Sequence, residues 1–196
     1  MNWKLLNQEM LYDGFFKLRR LHLSHSRFAG GEPIEVQREL LDRGHAAGVL
    51  PYDPTADRVL LIEQFRVGAL ESPHSPWLME IIAGMIGPGE NPREVVRREA
   101  LEEANCSLQE LIHVHDYYSS PGGTSERISI YVAKADLTDA GGIHGLEHEG
   151  EDIRTHVLDA EEAFELLRQQ RIDNAMGVIA LQWLMLHKEE IQAQWS

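Results

Sequence analysis

The chain contains one cysteine, Cys106, among 196 residues, so no intrachain disulfide can form. We expect Cys106 to be a small core residue and not a nucleophile. No apolar run approaches the length of a membrane span. Residues 1–10 also lack a run long enough for a signal peptide. We therefore expect a cytoplasmic protein.

Basic residues are scarce, with 18 Lys and Arg against 32 Asp and Glu and a formal net charge of −14. This charge argues against unaided binding to nucleic acid or to an anionic membrane. It would also repel an anionic phosphate substrate unless metal ions and local arginines reverse the field. At this length we expect one domain with a sizeable core and a small N-terminal extension.

Residues 84–106, GMIGPGENPREVVRREALEEANC, are the most informative stretch. Asn91 suits a helix N-cap, Pro92 suits the first helical position, and Glu94 completes a capping-box pattern. These signals predict a helix that begins at about residue 92. Apolar residues at four-residue spacing can face a core: Val96, Ala100 and Ala104.

Three acids of this helix, Glu99, Glu102 and Glu103, fall within an arc of roughly 100° beside the apolar stripe. Like charges on one helix face destabilise it, and Arg98 can pair with only part of the cluster. A solvated acidic face is one interpretation. The other is a site for a hard cation such as Mg²⁺, which takes carboxylate oxygens and grips substrate phosphates.

Apolar runs bounded by turn residues predict the strands. They occupy residues 15–25, 32–41, 45–53, 58–67, 77–86, 108–118 and 127–136, with a strand end at 155–158. The turn at residues 28–31, with its two glycines, predicts a hairpin of the first two strands. A helix capped by Asp159 follows, and a last helix starts after Asp173 and Asn174. Residues 138–152 form a long loop rich in glycine and acid, which is either disordered or a mobile lid that supplies a carboxylate to a metal.

Several polar residues keep two interpretations. Glu80 interrupts an apolar run and lies either on the wet face of its strand or near a site. His113 and His115 share one strand face, as a metal pair or as satisfied or solvated side chains. Each arginine discussed below forms either a surface salt bridge or a substrate contact.

A glycine, five residues, Glu90, seven residues and then Arg-Glu-Ala-Leu-Glu-Glu resemble the Nudix box of the nucleoside-diphosphate-linked-moiety hydrolases. Asn105 replaces the final glycine of that pattern, and Asn is the next best residue for a left-handed turn. Further motifs from about Leu11 to the C-terminus resemble the bacterial ADP-ribose pyrophosphatase branch: EVQRE, DRGHAAG, LIEQFR, PWLMEIIAGMI, SPGGTSE, GIHGLEHEGEDI and IDNAMGVIALQWL.

The resemblance implies an α/β fold of the α+β type, an α/β/α sandwich around a mixed sheet. Residues 1–44 would form an N-terminal β-hairpin extension that packs across a homodimer, and residues 45–196 the hydrolase domain. The implied activity is Mg²⁺-dependent hydrolysis of ADP-ribose to AMP and ribose 5-phosphate. The alternatives are hydrolysis of nucleotide sugars or other dinucleotides, and a module that binds ADP-ribose without cleaving it.

The resemblance also assigns residues. Two or three Mg²⁺ ions, with Mn²⁺ as the alternative, would be held by the carbonyl of Ala83 and by Glu99, Glu102, Glu103 and Glu151. Glu149 would be the general base, with Glu147 as its alternative, whereas Glu90 and Arg98 would be structural. Substrate contacts are implied at Phe15, Phe16, Arg38, Glu39, Arg43, Arg66, Ser120, Pro121, Gly122 and Glu126. In that set the two phenylalanines reach the adenine from the partner subunit.

Overall fold

The computed structural model describes residues 1–146, 148 and 150–195. The chain divides into two compact units: Met1–His45 with Tyr117–Arg127, and Ala46–Asp116 with Ile128 onward. The expected boundary between residues 44 and 45 stays a prediction. No helix within the described ranges is both long and apolar enough to cross a membrane.

The first unit is a three-stranded antiparallel sheet, β1 Trp3–Asp13, β2 Lys17–His25 and β3 Ile34–Asp42, in the order β1-β2-β3. β2 and β3 form the predicted hairpin. Its turn contains Gly30 and Gly31, whose φ values of 73° and 89° lie in the left-handed region that glycine adopts readily. Strand β1 was not predicted over residues 3–9, because nearly all of its side chains are exposed and no buried alternation marks it.

The second unit contains most of a mixed sheet of eight strands in the order β10-β11-β5-β4-β9-β8, with β6 beside β5 and β7 beside β4. Its strands are β4 His45–Asp53, β5 Arg58–Phe65, β6 Trp77–Glu80, β7 Ile82–Ile86, β8 Leu108–Tyr118, β9 Arg127–Ala135, β10 Gly142–His144 and β11 Ile153–Asp159. β4 runs parallel to β9 and antiparallel to β5. The expected mixed sheet is therefore confirmed.

Three α-helices are found in the described residues: α1 Pro92–Ala104, α2 Ala160–Arg168 and α3 Ala175–Trp195. Alternate residues of β4 and β5 pack into one buried cluster with α1: Ala47, Val49, Leu60 and Ile62 with Val95, Val96 and Ala100. Gly48 faces the other side, where an added Cβ would lie 3.2 Å from Sδ of Met176 in α3. Helices therefore cover both faces of the sheet, as in the expected α/β/α sandwich.

Two predicted segments differ from the structure. Residues 77–86 form two strands, because β6 pairs with β5 and β7 pairs with β4. An apolar run interrupted only by Glu80 does not reveal such a change of partner. The expected loop 138–152 contains the short strand β10, which pairs with β11 from Gly142 opposite Thr155 to His144 opposite Ile153.

Candidate active site

Both ends of α1 are fixed as the sequence predicts. The side chain of Asn91 accepts a hydrogen bond from the amide of Arg93 at 2.9 Å, and Pro92 opens the helix. Asn105 ends it with φ 46° and ψ 36°, and its amide donates to the carbonyls of Ala100 and Leu101. Asn thus adopts the left-handed conformation for which glycine would be used, so the turn is kept.

The three acids of α1 lie at the edge of the core. Nη1 of Arg98 is 2.9 Å from Oε1 of Glu99 and 2.9 Å from Oε2 of Glu102, which confirms the predicted pairing with Glu102. Glu103 is only 3% exposed and accepts a bond from the amide of Ala83 at 3.3 Å. One guanidinium therefore serves two of the acids, and the third is buried.

The box glycine brings β7 against this cluster. A Cβ placed on Gly84 would lie 1.8 Å from Oε1 and 2.5 Å from Cγ of Glu99. Strand and helix approach so closely here that no other residue fits without moving Glu99. Glu90 binds the box loop itself, since its Oε2 accepts a bond from the amide of Gly87 at 2.7 Å.

The carboxyl groups of this cluster act on one another. Burial, followed by the charges of Glu99 and Glu151, raises the pKa of Glu103 to about 8, although the Ala83 amide and Arg66 lower it in part. Burial also raises the pKa of Glu99, and Arg98 opposes that rise. Buried carboxyl groups that resist ionisation lack positive charge around them. A hard divalent cation would supply that charge, so the donor set fits Mg²⁺.

The acids are nevertheless held by protein donors. Among residues 1–146, 148 and 150–195, no group of three or more His, Cys, Asp or Glu side chains stands ready to hold a metal ion. Arg98 binds Glu99 and Glu102, while Oε2 of Glu151 accepts a bond from the amide of Leu146 at 3.1 Å. Binding of a cation would therefore exchange some of these bonds for metal ligation.

The loop before β11 contacts the same helix. The amide of Gly145 donates to the carbonyl of Glu102 at 3.4 Å, next to Leu146 and Glu151. All five predicted metal ligands thus lie close together in the second unit: Ala83, Glu99, Glu102, Glu103 and Glu151. The predicted base Glu149 and its alternative Glu147 lie outside the described residues.

Arg66 follows β5 and binds Glu80 of β6. Its Nε and Nη2 atoms lie 2.9 and 2.8 Å from Oε2 of Glu80, whose side chain is 8% exposed. Nε2 of Gln64 lies 3.4 Å from the same oxygen. Because Glu80 is buried, it does not lie on a solvent-exposed strand face, and its partner Arg66 lowers the pKa of Glu103 in the acidic cluster. The lone acid in an apolar run was the sequence signal for this residue.

The first unit brings together three of the predicted substrate contacts. The guanidinium of Arg43 lies 5.2 Å from the ring centre of Phe16, and its Nε lies 3.3 Å from Oε1 of the buried Glu126. The other predicted contacts of this unit are exposed: Phe15, Arg38, Glu39, Ser120, Pro121 and Gly122. Their roles, and that of Arg66, stay predictions.

Two further residues have ordinary explanations. Nε2 of His113 lies 2.9 Å from Oδ1 of Asp116, and its ring packs edge-on against Tyr131, so a metal is not needed to account for it. Cys106 is buried in the core, which raises the pKa of its thiol to about 11. The predicted core role of Cys106 is confirmed.

Comparison with known proteins gives consistent matches. The NUDIX domain profile matches residues 42–177. Proteins named ADP-ribose pyrophosphatase from Escherichia coli and Haemophilus influenzae are 48% and 45% identical, each over 98% of this chain and over 92% and 90% of their own lengths. GDP-mannose pyrophosphatase of Cronobacter sakazakii is 33% identical over 95% of this chain and 96% of its own. A crystal structure described as an ADP compounds hydrolase has the same fold, with a TM-score of 0.71, 22% identity and coverage of 100% of this chain and 97% of that one.

Proposed function

The chain belongs to the NUDIX domain family, and from that premise we propose that it hydrolyses the diphosphate of ADP-ribose to AMP and ribose 5-phosphate. The observation that carries the proposal is the acidic cluster of Glu99, Glu102 and the buried Glu103, with a pKa of about 8 at Glu103. The relatives from E. coli and H. influenzae, both named ADP-ribose pyrophosphatase, support the choice of substrate.

Mg²⁺ is the proposed cofactor, as two or three ions, with Mn²⁺ as the alternative. Glu99, Glu102, Glu103, Glu151 and the carbonyl of Ala83 would hold it. When bound, the metal supplies charge neutralisation of the diphosphate and a water of lowered pKa. The residues of the chain fix the ligand positions through the capped helix and the close approach at the box glycine.

Glu149 is proposed to take the proton of the attacking water, and Arg66 to bind a phosphate oxygen where negative charge grows on the leaving group. Glu149→Gln should lower kcat by about tenfold to 10²-fold while substrate binding survives, because only the proton acceptor is lost. Glu147→Gln is the matched control, since it removes a neighbouring loop carboxylate. If kcat is unchanged in Glu149→Gln and falls in Glu147→Gln, the general base is Glu147 instead.

The substrate contacts of the first unit are proposed on their own geometry. Arg43, held by Glu126 and lying beside Phe16, gives a guanidinium and an aromatic ring in fixed positions. Loop residues 120–122 and Glu126 would contact the terminal ribose. Phe15 and Phe16 would contact the adenine of substrate that is bound in the partner subunit. Arg38 and Glu39 would complete the contacts from β3.

Hydrolysis of a substrate panel in Mg²⁺, with products identified, tests this proposal. The panel contains ADP-ribose, NADH, FAD, ADP-glucose and GDP-mannose. Fastest release of AMP and ribose 5-phosphate from ADP-ribose is the expected result. The relative from C. sakazakii is named GDP-mannose pyrophosphatase. Fastest hydrolysis of GDP-mannose would support the proposed metal site but would contradict ADP-ribose as the substrate. Tight binding of ADP-ribose without any turnover would favour a sensor.

A homodimer is also proposed. β1 is the edge strand of its sheet and has exposed apolar side chains at Trp3, Leu5, Met10 and Tyr12. Exposed apolar side chains on an edge strand favour pairing with another chain. Light scattering coupled to size exclusion should give twice the chain mass of 22.3 kDa, and a monomer at micromolar concentration would contradict this. The expected cytoplasmic location stays a prediction.

A further inference from the structure

Glu80 is a buried acid to which nothing in the proposed reaction gives a role. It ends β6, where it pairs with Ile62 of β5, and its side chain is 8% exposed. A carboxylate so far from water needs a charged partner, and Arg66 is that partner at 2.8 and 2.9 Å. The side chain of Arg66 is itself 41% exposed, so one edge of its guanidinium is buried against Glu80 and the rest is open.

Arg66 is held at two points. Its amide donates to the carbonyl of Pro76 at 2.8 Å, which fixes the backbone just after β5. Its Nε and Nη2 atoms bind Glu80, which fixes the side chain. A guanidinium has five N–H donors, so Nη1 keeps its donors for another acceptor. A long side chain fixed in this way loses little further rotamer freedom when it binds an anion.

We propose that Glu80 is a positioning residue, which holds the guanidinium of Arg66 ready for an oxygen of the substrate diphosphate. The inference rests on the proposed function, since it takes the diphosphate as the ligand of Arg66. Glu80 itself does not touch the substrate. Its effect on the reaction passes through Arg66 alone.

A purely structural ion pair would behave differently. In that case Arg66 would only neutralise the buried Glu80, and activity would follow stability. If Glu80 positions Arg66, the variants should change activity and stability by different amounts. Removing Arg66 leaves Glu80 buried and unpaired, which lowers stability, and neutralising Glu80 as well should restore stability without restoring activity.

The test compares four proteins: the wild type, Glu80→Gln, Arg66→Met and the double variant. For each, kcat and KM for ADP-ribose in Mg²⁺ are measured together with the thermal unfolding temperature. Glu80→Gln should lower kcat/KM by about tenfold or more in the wild-type background and by less than about twofold in the Arg66→Met background. The double variant should unfold at a higher temperature than Arg66→Met while remaining as inactive.

The matched control is Glu161→Gln. Glu161, in the first turn of α2, pairs with Arg168, the last residue of that helix, at 2.8 Å. Both side chains are about half exposed or more. This variant removes an Arg–Glu pair of the same length at an exposed position on another helix, where Arg168 keeps Glu165 as a partner. It should leave kcat/KM unchanged.

Equal losses from Glu80→Gln in both backgrounds, or no loss in either, would overturn the inference. If the wild type hydrolyses no member of the substrate panel, the proposed function fails separately. Affinity for inorganic pyrophosphate in Mg²⁺, measured by calorimetry on the same four proteins, then decides about Glu80. Weaker binding by Glu80→Gln only where Arg66 is present supports positioning, and equal affinity in all four proteins refutes it.

Discussion

Replacing Gly84 by alanine should displace the Glu99 carboxylate and lower activity without unfolding the chain. The new Cβ would lie 1.8 Å from Oε1, 2.2 Å from Cδ and 2.5 Å from Cγ of Glu99. Non-bonded atoms do not approach so closely, so the Glu99 carboxylate must rotate away. The φ angle of Gly84 is not in the left-handed region, so the backbone itself can accept alanine.

The displaced carboxylate would lose its 2.9 Å contact with Nη1 of Arg98 and its place beside Glu103. Changing a group that merely orients a metal ligand typically lowers metal affinity or activity by 10- to 100-fold. Displacing Glu99 itself should therefore lower kcat/KM for ADP-ribose by at least about 10²-fold. Excess Mg²⁺ should restore part of the loss, because weakened metal affinity is one of its causes.

Steady-state hydrolysis of ADP-ribose over a Mg²⁺ titration measures this effect, and thermal unfolding shows whether the fold persists. Gly68→Ala is the control, since an added Cβ there meets no atom within 4 Å and the residue lacks a positive φ. It should leave kcat/KM unchanged. Full activity of Gly84→Ala would refute the placement of Glu99 in the metal site.

Three further outcomes follow from buried groups. The pKa of Glu103 is about 8 in the metal-free fold, against 4.5 ordinarily, so metal-free stability should fall as pH rises from about 4.5 to 8. Thermal unfolding in chelator should show this slope, and Glu103→Gln should flatten it. Cys106 should react with a thiol reagent at pH 8 only after unfolding, as absorbance can follow. Asp57→Ala should destabilise the fold by about 1–3 kcal/mol in denaturant titrations, since it removes the 2.8 Å hydrogen bonds that the Asp57 carboxylate accepts from the Tyr52 hydroxyl and the Lys188 ammonium.

Local signals in the sequence were sufficient for α1. Its N-cap, its first-turn proline and its left-handed end are each decided by neighbouring residues, and all three are confirmed. The hairpin of β2 and β3 was predicted for the same reason. The separation of β6 from β7 could not be predicted, because it depends on which distant strand each one joins. The sequence of β1 has no alternation of buried and exposed residues that would mark a strand, because β1 is held by hydrogen bonds to β2 while its side chains are mostly exposed.

The acids of the candidate site could be named from the sequence, but the charge around them could not. Glu99, Glu102, Glu103 and Glu151 influence one another, and Arg98 and Arg66 are the cations that act on them. The sequence predicts Arg66 as a surface salt bridge or a substrate contact. The structure shows it bound to a fifth acid, Glu80, so only part of its positive charge acts on the cluster. The negative charge that remains is therefore larger than the sequence indicates, and this local excess is the strongest physical reason to expect a divalent cation there.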